Sequence, residues 1–289
     1  MNLRSKRTPQ ILFAFIAIAT LSTMLFSQRH RQRYDHRGGV PEWQVDPEFK
    51  QDVFTFARVR YTSTRGGRFG GRGGHGRGWG GGGWETDYPD AELNFAFRLQ
   101  QMTSLKVNPD SAVVDLTQDD LYNYPFLYMI EPGRLVFMEE EVVALREYLL
   151  NGGFLMVDDF WGDDEYDNFY YEIKRVFPDR EPVELSIDHP IFHMVFDLDE
   201  KPQVPSVGHA VGNYRAGYGI VTHQGYGTDQ VHYKAIFDDT GRIMCIICHN
   251  TDLGDGWERE GEDEWYFREF AEKKAYPMGI NIVFYAMTH

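Results

Sequence analysis

Cysteine is scarce in this chain, basic charge is scarce outside its N-terminus, and an uninterrupted apolar run long enough to resemble a membrane span occurs once. Each shortage closes off an explanation. The two cysteines, Cys245 and Cys248, provide no disulfide framework, so they do not decide the compartment. Their spacing resembles a redox or zinc knuckle, but Ile243 to Ile247 is an apolar run that reads as a buried strand. Residues three apart in a strand point to opposite faces, so two buried structural thiols are expected.

The formal net charge is −15, and the Arg-rich N-terminal portion makes the remainder more acidic still. Such a surface repels nucleic acid, and no nucleic-acid partner is expected for the folded part. His209, His223, His232 and His249 are scattered, without the spacing of metal ligands. Gly80 to Gly83 lacks both the strand-to-helix context and the lysine of a phosphate loop. No metal and no cofactor are therefore assigned.

Residues 1–10 form a basic tail with Arg4, Lys6 and Arg7. The apolar run Ile11 to Phe26 follows, and residues 11–27 read as a membrane anchor or signal segment. The run is short beside the ~20 residues of a usual span. Arg29, Arg31 and Arg33 follow without a convincing cleavage site, which favours an uncleaved anchor. The short N-terminal tail places the folded domain outside the cytoplasm, with the membrane as its first partner. Residues 28–50 read as a linker and 51–289 as a single α/β domain. Within it, residues 65–83 (RGGRFGGRGGHGRGWGGGG) cannot bury a core and are expected to be disordered. The insert is a flexible loop, or an assembly module if its arginines hold anionic polymers.

Val53 to Tyr61 alternates and reads as a first strand. Helical spacing covers Ala91 to Met102 and Glu139 to Leu150, the latter ended by Asn151-Gly-Gly153. Strands are expected at Ala112–Leu116, Phe126–Ile130, Phe154–Val157, Gly219–Thr222, Tyr233–Phe237 and Ile243–Ile247. A helix capped by Asp163 or Asp164 should bury Phe169, Ile173, Val176 and Phe177, and a last helix should cover Pro277 to Met287. This alternation predicts an α/β fold: a doubly wound, mostly parallel sheet of flavodoxin-like type, with an antiparallel hairpin turning at Asp238-Asp-Thr-Gly241.

In such sheets ligands bind beyond the carboxyl ends of the strands. Asp158 and Asp159 lie there as candidate catalytic residues, able to share a proton or hold a cation, or else to brace the following loop. Asp188-His189-Pro190 offers a carboxylate and an imidazole for general base work, though an aspartate before such a turn often bonds its own backbone. Asn250 and the run Asp252-Leu-Gly-Asp-Gly-Trp257 follow a strand. They suit a small-molecule or carbohydrate ligand, with Trp257 for stacking and Asp188, Asn250 and Asp252 for hydrogen bonds. The same run could equally be a tight turn packed by its tryptophan.

Four runs carry a family likeness: Tyr124–Met129, Leu149–Asp159, Asp188–His193 and Asn250–Trp257, with Gly279–Tyr285 closing the chain. Together they resemble the bacterial domain-of-unknown-function family 4159. The resemblance implies a fold similar to class I glutamine amidotransferases and frequent membrane association, and it leaves activity open. Such folds place a cysteine nucleophile on the turn after a central strand. Here that turn reads Asp158-Asp159-Phe160, which excludes thiolate chemistry there. Two readings follow. One is a non-catalytic ligand-binding or scaffolding domain. The other is a hydrolase acting on a carbohydrate or cell-envelope substrate through Asp158 or Asp159 with His189.

Overall fold

A computed structural model describes Arg37 and residues 39–49, 52–63 and 83–289. The expected anchor at 11–27 and nearly all of the glycine-arginine insert lie outside these residues. Among the described residues no helix is long and apolar enough to cross a membrane. The chain divides into two units, Met1–Pro41 and Glu42–His289. In the first, the Val40 amide donates to the Arg37 carbonyl at 2.8 Å. The second holds the α/β fold. Trp43 packs 5.9 Å from Phe97, ring to ring, and donates to the Val107 carbonyl at 2.7 Å.

From the N-terminus the elements are β1 (Ala57–Arg60), β2 (Thr62–Ser63), α1 (Asp90–Met102), β3 (Ala112–Asp115), β4 (Phe126–Ile130) and β5 (Leu135–Val136). Next come α2 (Glu139–Leu150), β6 (Phe154–Asp158), α3 (Gly162–Val176), β7 (Val183–Glu184) and α4 (Val207–Arg215). The chain closes with β8 (His232–Phe237), β9 (Ile243–His249), α5 (Leu253–Glu258), a π-helix over Phe267–Ala275 and α6 (Tyr276–Thr288). The main sheet runs β3-β1-β4-β6-β9-β8-β7, and β2 and β5 form a separate antiparallel pair. β3, β1, β4, β6 and β9 are parallel, and β8 is antiparallel to both its neighbours. Taken in order of appearance, the parallel strands lie 2-1-3-4-5, the flavodoxin-type arrangement.

The apolar strands alternate between two cores rather than between core and water, as buried parallel strands do. Leu127, Met129, Leu155, Val157, Cys245 and Ile247 face α2 and α3, meeting Leu145, Phe169 and Ile173. Phe126, Tyr128, Met156, Ile246 and Cys248 face the other layer, meeting Phe95, Trp257, Ile280 and Val283. The two cysteines are free and buried on opposite faces. Truncating a side chain such as Leu145 to Ala would cost about 2–5 kcal/mol, from lost transfer energy plus the cavity left behind.

Local signals place the helices with two corrections. α2 starts on three glutamates, and Glu141 accepts from the Met138 amide at 2.7 Å. It ends at Gly152, whose φ of 103° a side chain would resist. α3 begins at Gly162 without an aspartate cap. The Trp161 amide donates to Glu165 at 2.7 Å, and Asp163 and Asp164 lie in the first turn, where the helix dipole favours them. The strand expected at Gly219–Thr222 does not form. The free edge of β8 is taken instead by Val183 and Glu184.

Candidate functional site: an acidic crevice at the strand ends

Three neighbouring strands, β4, β6 and β9, each run into a polar residue with left-handed backbone: Glu131 (φ 49°), Asp159 (φ 55°) and Asn250 (φ 60°). Non-glycine residues enter that region at a cost of order 1 kcal/mol or more, and such residues cluster at functional sites. A backbone lattice fixes the turns. The Glu131 amide donates to the Asp158 carbonyl (3.1 Å), Asp159 to Thr251 (3.2 Å) and Asn250 to Phe160 (3.0 Å). Just after β1, the Tyr61 hydroxyl lies 2.8 and 2.7 Å from the carbonyls of Ile130 and Glu131.

The fourth contributor, Asp87 (φ 63°), comes from the segment between β2 and α1. Arg58 on β1 holds this segment. Its guanidinium is wholly buried, pairs with buried Glu92 of α1, and donates to the carbonyls of Trp84 and Thr86. It also lies over the Tyr128 ring, 5.2 Å from the centroid. α5 closes the crevice. Asp252 caps it by accepting from the Asp255 amide at 2.7 Å. Gly254 brings the helix against Tyr128 and Asp87: a Cβ there would sit 2.7 Å from the Tyr128 hydroxyl and 3.0 Å from Asp87 Oδ2. A Cβ on Gly256 would fall 2.4 Å from Ala275 Cβ in the π-helix, so both glycines of the Asp252–Trp257 run serve close approach.

Carboxylates crowd the resulting space. Asp158 is fully buried. Its Oδ2 accepts from the Gly254 amide (3.0 Å) and the Tyr128 hydroxyl (3.1 Å), while Oδ1 has no hydrogen-bond partner among the described residues. Burial, only partly offset by the Gly254 and Tyr128 bonds, pushes its acid up to about 7. Glu131 is raised to about 7 by burial and by Asp87, and Asp87 to about 6 by burial and by Asp255. Glu258 is raised to about 9 by burial and by Asp87, and it shares a hydrogen bond with Asp87. Asp159 and Asp252 are also raised, first by burial and then by neighbouring acids: Glu131 acts most on Asp159, and Asp159 most on Asp252.

Two groups of acids approach metal-ligand spacing. Asp87, Asp159 and Asp252 each offer an oxygen within 4.8 Å of the others, as do Asp87, Asp255 and Glu258. The second group already has an arginine paired to two of its members. Asp255 accepts from the Val207 amide and from Arg259, and Arg259 also lies 2.6 Å from Glu258. In the first group, Asp159 Oδ1 accepts from Trp161 Nε1 (3.0 Å) and Asp252 Oδ1 from the Asp255 amide, which leaves each a second oxygen.

The structure brings Asp158, Asp159 and Asp252 together, keeps Asn250 and Trp257 nearby in packing roles, and places Asp188 and His189 apart. His189 lies at the opposite edge of the sheet, against Phe237 and Tyr285, where its Nδ1 accepts from the Ile191 amide at 3.2 Å. Exposed Asp188 sits beside it and accepts from Ser186. No dyad with Asp158 or Asp159 forms, because β6 runs its full length between the two edges. Trp257 is a core residue rather than a stacking platform: it is fully buried, 4.5 Å from Phe95 and 5.7 Å from Tyr128, ring to ring. Asn250 is committed to bracing, with its Oδ1 accepting from Gly162 (2.8 Å) and its Nδ2 donating to Gln230 (2.8 Å). His249 donates through Nε2 to Gly162 at 3.0 Å and is held down to about 4 by burial, so it stays neutral.

Sequence reasoning missed Asp87, Glu131 and Glu258. Glu131 carried a usable signal, since it is the first residue after an apolar strand, just as Asp159 is. Asp87 carried none, because a long segment separates it from the strand it follows.

The defining pattern of the family described as "Domain of unknown function (DUF4159)" matches residues 55–287, and the chain belongs to that family. No curated protein matches it.

Proposed function

We propose that this chain is a ligand-binding domain that receives a positively charged ligand in the acidic crevice at the carboxyl ends of β4, β6 and β9. The crowding of Asp87, Glu131, Asp158, Asp159 and Asp252 around one space carries this reading; all five acids are raised first by burial, and all but Asp158 also by their acidic neighbours. Among the described residues, the arginines beside these acids are Arg58 and Arg259, both already paired. The turn after β6, Asp158 to Gly162, carries no serine or cysteine nucleophile. The hydrolase alternative is set aside because its imidazole, His189, sits at the other edge of the sheet.

A degenerate amidotransferase-like ancestry is part of this proposal. It is supported by the flavodoxin-type order and by the strained residue between β6 and α3, where such folds carry a nucleophile and this chain carries Asp159. Attachment to a membrane through residues 11–27 rests on the sequence alone, and fractionation of cells expressing the full chain tests it. Thermal unfolding of the full chain against calcium, magnesium, spermidine and amino sugars tests the binding reading. At least one cation should raise the midpoint by several degrees, and Asp159→Asn should abolish that rise. An unmoved midpoint across the panel would sink the proposal.

A further inference from the structure

We propose that Asp87, Asp159 and Asp252 form a binding site for one hard divalent cation of the calcium class. This deepens the binding reading above and rests on it. The donor set contains carboxylate oxygens alone, which selects hard cations over zinc or copper. The number of carboxylates discriminates further. One oxygen from each aspartate lies within 4.8 Å of the others, close enough to meet on one cation. Calcium is commonly held by several protein carboxylates, whereas magnesium usually takes one or two and keeps its waters.

A second observation is independent of the three ligands. Asp158 is 0 % exposed, and its Oδ1 has no donor among the described residues. Its other oxygen meets the Gly254 amide and Tyr128 hydroxyl, the same hydroxyl that lies beside Asp87 Oδ2 around the Gly254 Cβ position. Its charge acts on both Asp159 and Asp252. A buried carboxylate oxygen in such a place requires positive charge or bound water to balance it. Asp87 and Asp159 are partly exposed, so the cation has a route in and coordination positions left for solvent.

Among the described residues, the first group also differs from the neighbouring acids in having no arginine ion-paired to it. Arg259 supplies the positive charge for Asp255 and Glu258, and Arg58 for Glu92. Asp159 is also held by an indole: Trp161 Nε1 lies 3.0 Å from its Oδ1. That places a natural antenna next to the cation position.

Terbium, a luminescent stand-in for calcium, therefore provides the test. Full-length protein freed of metal with a chelator should sensitise terbium emission through tryptophan, and calcium should displace it. Calorimetry should give one calcium per chain. Asp159→Asn and Asp252→Asn should each weaken calcium binding by about tenfold or more, since affinity follows ligand charge. Asn can still cap α5 and still adopt left-handed backbone, so both variants should fold. Asp188→Asn, on the far edge, should bind as wild type does. Trp161→Phe should lose most of the emission while keeping the calcium heat. Undiminished binding in both crevice variants would overturn the site. If calcium and terbium fail to bind but spermidine raises the unfolding midpoint, the cation assignment falls and the broader reading survives. If nothing binds, both fall.

Discussion

The two edges of the parallel sheet treat the same side chain in opposite ways. At the amino edge, in the β8–β9 turn, burial would raise Asp238. Bonds from the Thr240 hydroxyl, the Arg242 and Thr240 amides and the Arg242 guanidinium instead bring it down to about 2. Arg242 is satisfied too, donating to the carbonyls of Gly153 (3.0 Å) and Leu149 (2.7 Å). At the carboxyl edge, burial pushes Asp158 up to about 7 despite the Gly254, Asp159 and Leu253 amides and the Tyr128 hydroxyl, and its Oδ1 makes no hydrogen bond among the described residues. The amino edge is complete as built. The carboxyl edge carries charge that the described residues do not balance. The aspartates of the two edges are thus distinguished by burial and by the donors around them, though the residue type is the same.

The largest test of this contrast is Arg58→Met. It leaves Glu92 buried without a partner, and denaturant unfolding should show a loss of about 3–5 kcal/mol. Arg58→Met combined with Glu92→Leu should recover much of that loss, and a double variant as unstable as the single would refute the account. Next comes Arg242→Ala at the amino edge, which removes bonds to Asp238, Gly153 and Leu149. It should cost about 2–3 kcal/mol by the same measurement, with terbium emission unchanged.

The pH dependence separates the edges by sign. Asp158 has a folded value above its unfolded one, so the folded chain holds the extra proton between about pH 4 and 7. Stability from this group is fully present below the unfolded value and is lost as pH rises toward 7. The slope is about 1.4 kcal/mol per pH unit for each net proton retained. Glu131 and Glu258 extend the same trend upward. Asp238 runs the other way: its contribution is present above pH 4 and lost as pH falls through about 2. Denaturant midpoints of metal-free protein from pH 5 to 9 should therefore decline, and Asp158→Asn should flatten the decline. A flat wild-type profile would show that the carboxyl edge is balanced after all. The smallest effect belongs to Asp159→Asn, which relieves repulsion from Glu131 and Asp87. At pH 8 it should stabilise metal-free protein by about 1 kcal/mol. Destabilisation would make Asp159 a brace like Asn250.

Much of the fold was legible because apolar periodicity is local. The run Phe126–Ile130 forms β4 and Glu139–Leu150 forms α2 at the expected limits. Gly219–Thr222 was misread because strand formation depends on a free neighbour, and β7 already occupies that edge of β8. Asp158, Asp159 and Asp252 were singled out by the rule that ligands gather at strand ends, and the structure places them together. The packing of Trp257, Asn250 and His189 was not legible because residue type does not reveal which way a side chain faces, and Trp257 faces the aromatic core.

The ends of the sheet bear on how many copies can be crowded together. β7 is two residues long, and its Glu184 is held by Lys201 and by His232 at 3.1 Å. At the opposite end, β3 finishes on Asp115 paired with Arg60. Short, charged outer strands give an approaching chain little backbone to pair with. Packed densely, these domains would resist strand exchange and fibre growth, even with so apolar a sheet between the two ends.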